Sequence, residues 1–369
     1  MTAGLEPAAA VEVRRLGGPE PLSAARGAVR VPGDLLLGAR LALGLRSAPR
    51  VILELATALP GEADGFQPAL SRIAWEEWLP RELSWAVRVT GTTEELRSPL
   101  HTARLVKDSI RDRFTARGLA CPPVDPRGAQ VLVDFRLERG TASAGIDLGG
   151  HSLHARGTGR QGPAPLREDV AAGLALLAGV DAERALLDPF CGTGTLIAEA
   201  AALALGIPPN RPPATLAVSA LPPFTSLPLE AIARELEPER IPLHAPFLAS
   251  DRNPRAIAEA RAALDRQGLA RHVELECAEV ETVEPPDGPG LVLTNPPWGL
   301  RLADEAAGAW RGLGTLARQR LSGWTIAALS GNAAITRHLG FKAERRIPLT
   351  VSGIEARLLV YAVRSAPRG

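Results

Sequence analysis

Lysine is almost missing from this 369-residue chain, standing only at Lys107 and Lys342, while arginine, alanine and proline abound, a bias that GC-rich coding produces. Cysteine is scarce as well. Cys121, Cys191 and Cys277 form no C-x-x-C pair and have no Cys/His cluster beside them. That excludes a disulfide scaffold and a zinc site and implies a reducing compartment. No apolar run approaches the span of a membrane helix, and the N-terminus lacks the basic start, apolar stretch and cleavage site of a secretory leader. A soluble cytoplasmic protein with no membrane partner and no metal is expected. Net charge is lacking too: 42 basic residues face 41 acidic ones, so any polyanion-binding surface must be local. One such region exists. Between Arg97 and Arg160 eleven basic residues face six acidic ones, with His101, His151 and His154 nearby.

What is present is enough apolar residue, 46%, to bury sizeable cores in two or three domains. The first part reads as two small α+β units. A helix over Gly4–Gly17, a strand at Ala28–Val31 and a helix over Leu35–Leu45 lead into an alternating strand, Arg50–Leu55. A helix near Phe66–Trp75, a strand at Ser84–Val89, a helix over Leu100–Arg117 and strands at Gln130–Phe135 and Thr141–Leu148 follow. Gly157–Pro165 is rich in Gly and Pro and reads as a linker. Beyond it helices and strands alternate, as in a doubly wound parallel sheet. Strands are expected at Ala185, Phe247–Ser250, Val273–Glu276, Gly290–Leu293, Thr325–Leu329 and Ala356–Tyr361, with helices over Arg167–Leu177 and Pro254–Gln267. The proline-rich stretch from Ile207 to Phe247 breaks this rhythm and is expected to be an insertion or long crossover.

Two segments at the ends of apolar runs carry the chemistry. In Asp188-Pro-Phe-Cys-Gly-Thr-Gly-Thr195, Gly192 and Gly194 allow a tight turn that a ligand can approach closely, and Asp188 suits a cationic ligand rather than a pyrophosphate. S-adenosylmethionine, with its sulfonium and amine, has that character. Asp251, at the next strand end, is placed to accept both ribose hydroxyls, and Glu279, after the strand beyond, the adenine amine. Pro189, Cys191 and Asn295 complete the expected cofactor lining. Cys191 sits in the cofactor turn and reads as a packing residue, not a nucleophile.

The second segment is Thr294-Asn-Pro-Pro-Trp-Gly299. An exocyclic base amine is a poor nucleophile because its lone pair is delocalised into the ring. Two acceptors aimed at its hydrogens favour the pyramidal nitrogen of the transition state. The Asn295 side-chain oxygen and the Pro296 carbonyl are candidates. Pro297 stiffens the loop, and Trp298 can stack on a base that has left its helix.

With those residues in view, the chain resembles the THUMP-domain RNA methyltransferases, most closely the bacterial large-subunit ribosomal RNA guanine-N2 methyltransferases of the RlmL type. The likeness rests on Gly4-Leu-Glu6, Val106–Asp112, Thr141-Ala-Ser143 with Asp147-Leu148, Leu153–Gly157, Pro165-Leu-Arg-Glu168, Asp188–Thr195, Ser250-Asp251 and Asn295–Gly299 with Arg301. It implies an α/β, Rossmann-like class I methyltransferase domain over residues 158–369. A small ferredoxin-like α+β domain over 1–50 and an α+β THUMP domain over 51–157 would precede it. RNA would be held by Arg104, Lys107, Arg111 and Arg156, and the segment carrying Arg167 would pack over the cofactor's methionine end. Trp298 stands where tyrosine is commoner and Arg167 where lysine is usual. The family usually has a first strand before the point where this chain begins, so either that strand is missing or the start is late; the second fused methyltransferase domain of some relatives is absent, so a single-function enzyme is expected. Ribosomal RNA is the first expected substrate and transfer RNA the second. Adenine-N6 methylation of RNA or DNA and a noncatalytic assembly role remain open alternatives. A monomer is favoured, though the sequence does not fix the oligomeric state.

Overall fold

Residues 1–153, 166–210, 215–237, 242–299 and 303–364 are described by the computed structural model of the chain. The linker expected over Gly157–Pro165 falls outside them. Three sheets organise these residues. The N-terminal unit contains α1 (Glu6–Arg15), a hairpin of β1 (Ser23–Ala25) and β2 (Ala28–Arg30), and α2 (Leu35–Gly44), whose first turn is capped by Asp34 accepting from the Leu37 amide. Next come β3 (Ile52–Pro60), α3 (Ala63–Ser71), β4 (Trp85–Thr90), α4 (Pro99–Ala116), β5 (Val131–Glu138) and β6 (Thr141–Asp147). Their four strands pair in the order β3-β6-β5-β4, with only β4 and β5 parallel.

The third sheet holds β7 (Ala185–Asp188), β8 (Phe247–Asp251), β9 (Glu274–Cys277), β10 (Gly290–Thr294), β11 (Thr325–Ser330), β12 (Arg345–Val351) and β13 (Ile354–Ala362), in the order β12-β13-β11-β10-β7-β8-β9. From β7 the chain steps outward through β8 to β9, then returns to lay β10 against the other side of β7. Strand order therefore reverses between β7 and β10, which opens a crevice at their carboxyl ends. Alternation sorts the strand residues between two apolar layers. Leu186, Leu291, Leu293, Ala327 and Leu329 pack towards α5 (Glu168–Ala178), α6 (Thr195–Ala204) and α8 (Pro254–Arg266). Leu187, Val292, Ile326 and Ala328 pack towards α9 (Ala303–Arg320) on the other face.

A further core crosses the expected boundary near residue 50. Ala39, Ala42 and Leu43 of α2 share it with Phe66, Trp85, Val106, Ile110, Phe135 and Ile146 from the four-stranded unit. Leu216, Val218, Leu221, Phe224 and Ile232, from the proline-rich stretch before β8, join the same core. That stretch carries α7 (Leu229–Glu235), and its Val218 amide donates to the Leu148 carbonyl. The insertion thus straps the N-terminal units to the seven-stranded domain. Among the described residues no helix is long and apolar enough to cross a membrane.

The N-terminal unit is also locked from beneath. Leu5 is fully buried against Gly173 of α5, and the Thr350 amide of β12 donates to the Ala3 carbonyl. Arg46, just after α2, reaches Glu199 of α6 at 2.6 Å and donates to the Ile207 carbonyl, with the two side chains 5% and 0% exposed. Glu12 accepts from the Arg46 and Ser47 amides, which fixes the backbone that aims Arg46. Removing one partner of a buried ion pair strands the other charge. Arg46→Ala is therefore expected to lower stability by about 3–5 kcal/mol in chemical denaturation. Arg46→Met/Glu199→Leu should recover most of that loss; equal damage from the double variant would show that the pair is not the source.

Candidate functional site

Asp188 ends β7, where the chain turns into α6. Gly192 and Gly194 both hold positive φ, +52° and +82°, and the Gly194 amide closes the turn on the Cys191 carbonyl at 2.9 Å. A Cβ on Gly194 would lie 3.0 Å from Ala260, whereas one on Gly192 would meet nothing within 4 Å among the described residues. The Gly192 amide donates to Asp251 at the end of β8 (3.1 Å), and the other Asp251 oxygen accepts from the Asn253 amide (2.9 Å). Lone pairs on both oxygens remain for hydroxyl donors. Glu279 lies exposed at the head of a 3-10 turn after β9, its carbonyl accepting from Thr282.

Asp188 itself is 1% exposed. One carboxylate oxygen accepts from the Thr294 hydroxyl at 2.7 Å and from the Phe190 amide at 3.2 Å; the other is buried with no hydrogen-bond partner among the described residues. Burial, only partly offset by those donors, pushes its pKa up to about 7. An orphaned carboxylate oxygen of that kind is completed by a cation. Cys191 is buried beside it, and burial together with the Asp188 and Asp251 charges drives its thiol upward, so it stays protonated and unreactive.

Thr294 ends β10, so its bond to Asp188 spans the crevice and ties the glycine turn to the Asn295–Trp298 loop. That loop is pinned at several points. The Pro297 carbonyl accepts from the buried Trp310 indole of α9 (3.1 Å), and the Trp298 carbonyl accepts from the Asn332 side chain (3.1 Å). The Trp298 indole N–H donates to the Asn295 side-chain oxygen at 3.0 Å. Asn295 thus shares the acceptor expected to serve a substrate amine, keeping one lone pair for it. Pro296 is buried, and among the described residues its carbonyl carries no hydrogen bond. The ring of Trp298 occupies the space a side chain on residue 331 would need: a Cβ on Gly331 would lie 2.3 Å from its Cε3.

The other expected residues have their own surroundings. Arg167, at the start of α5, donates twice to the buried Asp169 (2.8 and 2.6 Å), so its guanidinium holds the chain leading into that helix. On α4, Arg104 and Arg111 are exposed and Lys107 half-buried along one stripe, and none is in an ion pair among the described residues. Neighbouring Arg113 instead forms a two-pronged pair with Glu76. Arg156, Pro165 and Arg301 lie outside the described residues. Trp310, Gly331 and Asn332 were not singled out from sequence, and Thr294 was named only as the start of its segment with no role, although Gly331 and Asn332 follow Ser330 just after the strand read at Thr325–Leu329.

A sheet of this order, with one antiparallel strand at β13 and paired ligand-type loops at the switch point, defines a class I methyltransferase fold. Residues 156–358 match the RMKL-like methyltransferase domain and residues 1–52 the RlmL ferredoxin-like domain. The chain belongs to the RMKL-like methyltransferase family. It is 35% identical over 91% of its length to the ribosomal RNA large subunit methyltransferase K/L of Marinobacter nauticus, of which that match covers 48%. It is 30% identical over 97% of its length to the RNA methyltransferase candidate slr0064 of Synechocystis, covering 94% of that protein. The chain spans about half the length of most K/L relatives it matches. Among solved structures, a possible methylase from Clostridium difficile shares the fold over the whole chain and 98% of its own (TM-score 0.85, 23% identity). SMU.472, solved with SAH, does so over 99% of this chain and 97% of its own (TM-score 0.86, 22% identity).

The tight fit at Trp298 sets an expectation. Gly331→Ala should cost about 1–3 kcal/mol by overpacking, read as a lowered thermal midpoint. Gly331→Ala/Trp298→Leu should return most of it. Failure of the double variant to recover would mean that the indole is not what Gly331 makes room for.

Proposed function

We propose that this chain transfers a methyl group from S-adenosylmethionine to the exocyclic N2 amine of a guanosine in RNA, with large-subunit ribosomal RNA as first substrate and transfer RNA as second. The observation that carries this reading is the Asp188–Thr294 hydrogen bond. It joins a cation-suited glycine turn to an acceptor-bearing, aromatic loop, in a member of a methyltransferase family. The bound cofactor would supply an electrophilic methyl on sulfur. Asp188 would face its positive charge, the Gly192–Gly194 turn would lie against it, Asp251 would take its ribose hydroxyls and Glu279 its adenine amine.

On the acceptor side, Asn295 and the Pro296 carbonyl would draw the amine hydrogens out of the base plane, freeing the nitrogen lone pair in the transition state. Trp298 would stack on the base, which must leave its helix to reach the site. Its indole N–H would meanwhile hold Asn295 in one orientation. The nitrogen can shed its proton after transfer, so no general base is required.

The four-stranded unit, within residues 51–157, is assigned as a THUMP module that holds RNA. What supports this is the stripe of Arg104, Lys107 and Arg111, cations without carboxylate partners among the described residues, next to Arg113, which is paired with Glu76. Residues 1–50 form the ferredoxin-like domain and 158–369 the catalytic domain. The buried surface of α2 belongs with the THUMP core, so the first two would move as one body.

Incubating the full chain with S-adenosylmethionine and ribosomal RNA, then analysing nucleosides by mass spectrometry, should yield N2-methylguanosine. N6-methyladenosine would transfer the same loop chemistry to adenine. Asn295→Ala should reduce turnover by about a hundredfold or more while leaving cofactor affinity within a few-fold. Near-normal turnover in that variant would remove Asn295 from its assigned role.

A further inference from the structure

Next to the Asn295–Trp298 loop lies a cleft of about 840 Å³ between the β12–β13 pair and the segment from Gly331 to Ala343. Arg337, Lys342, Arg346 and Arg357 line it, with Tyr361 and a single acid, Glu355. The sheet register explains why the charges converge. Alternation puts Glu355, Arg357, Leu359 and Tyr361 on one face of β13, and Arg346 pairs with Leu359 on that same face. Arg357 pairs with Ser330, the last residue of β11, so it stands at the carboxyl edge of the parallel strands, where Asp188 and Thr294 also end their strands.

The four basic side chains are exposed, and none has a carboxylate within ion-pair distance among the described residues. Glu344 is engaged by Arg364, and elsewhere Arg88, Arg113 and Arg320 each hold an acid. Four cations against one acid in a single cleft contrast with a chain whose net charge is +1. Such a concentration focuses positive potential in a concave site, and guanidinium groups suit the paired oxygens of a phosphate. The cleft is also continuous with the reacting end: Gly331 and Asn332, which line it, are the residues that carry the Trp298 ring and carbonyl.

We propose that this cleft binds the phosphates of the RNA strand flanking the target nucleotide, seating the backbone while the base lies on Trp298. The inference rests on the RNA-methylation reading and deepens it. Whatever base reaches Trp298 brings its own phosphodiesters along, and these four cations, without ion pairs among the described residues, line a cavity that adjoins the loop through Gly331 and Asn332. Arg346 and Arg357 approach from the sheet, Arg337 and Lys342 from the covering segment, so a strand lying between them is neutralised from both sides.

The test uses the full chain and three readouts: affinity for a short fluorescein-labelled single-stranded RNA across a salt series, affinity for S-adenosylmethionine by calorimetry, and affinity for polyglutamate. Arg346→Ala/Arg357→Ala should weaken RNA binding about tenfold at moderate salt and lower the log–log salt slope by about one to two, since each phosphate contact contributes about 0.7. Cofactor affinity should stay within twofold, and Arg346→Lys/Arg357→Lys should restore the slope. Wild-type RNA affinity and slope in the alanine variant, while the wild-type chain binds RNA, would overturn the cleft assignment alone. A wild-type chain that binds the cofactor but shows no salt-dependent RNA binding would overturn the RNA reading and the cleft with it. Loss of polyglutamate binding in the alanine variant with RNA binding intact would hand the cleft to an acidic protein.

Discussion

One hydrogen bond, from the Thr294 hydroxyl to the buried carboxylate of Asp188, holds the two halves of the site together. The sheet order makes a crevice between β7 and β10, and that crevice would be only a gap without a link across it. Thr294 supplies the link from one strand end and Asp188 from the other. Because the second Asp188 oxygen is left buried and unpartnered, the same contact that joins the loops also prepares a place for positive charge. Architecture and chemistry meet in a single side chain.

From there the constraints spread outward. The Asn295–Trp298 loop is held by Asp188 through Thr294, by Trp310 of α9 and by Asn332 after β11, so three neighbouring elements fix a loop that has little secondary structure of its own. Preorganisation of that kind is what acceptors aimed at a developing charge require. Beneath the sheet, the Arg46–Glu199 pair and the seating of Leu5 on α5 fix the N-terminal units against the catalytic domain. The proline-rich strap before β8 adds a second attachment. An RNA held on α4 would then meet the site at a set angle, with the basic cleft beside Trp298 as the last point of contact.

Much of this was legible in the residues. The strand-end positions of Asp188, Asp251 and Asn295 followed from apolar runs broken by glycine, proline and aspartate, because parallel strands must be apolar and must stop abruptly. α4 and β5–β6 followed from clean periodicity. Four elements escaped: β1, α7, β12 and α9. β12 reads poorly because it is the outermost strand, where Arg345, Arg346 and Pro348 are tolerated on a rim that lacks a second neighbour. α9 hides because alanine and glycine blur its apolar stripe. The site's missing residues had a different cause: Thr294, Trp310, Gly331 and Asn332 act through contacts between distant segments, and no local pattern encodes that Gly331 must stay bare to admit an indole. Arg167 was assigned to the cofactor from resemblance, and its pairing with Asp169 depends on packing that spacing does not reveal.

The pKa of Asp188 offers the most direct test. Its folded-state value, raised to about 7 by burial, means that the ligand-free chain is favoured at acid pH and loses that contribution as pH rises through 7. A bound cation prefers the ionised carboxylate, so the sign for binding is opposite: the protonated acid must give up its proton. Calorimetric titration of the chain with S-adenosylmethionine from pH 5.5 to 7.5 should show affinity rising by up to about tenfold per pH unit until near pH 7 and then levelling, with about one proton released per binding event below it. Asp188→Asn should bind weakly with a flat profile. A flat profile in the wild-type chain, or an Asp188→Asn variant that follows it, would contradict the role assigned to this carboxylate.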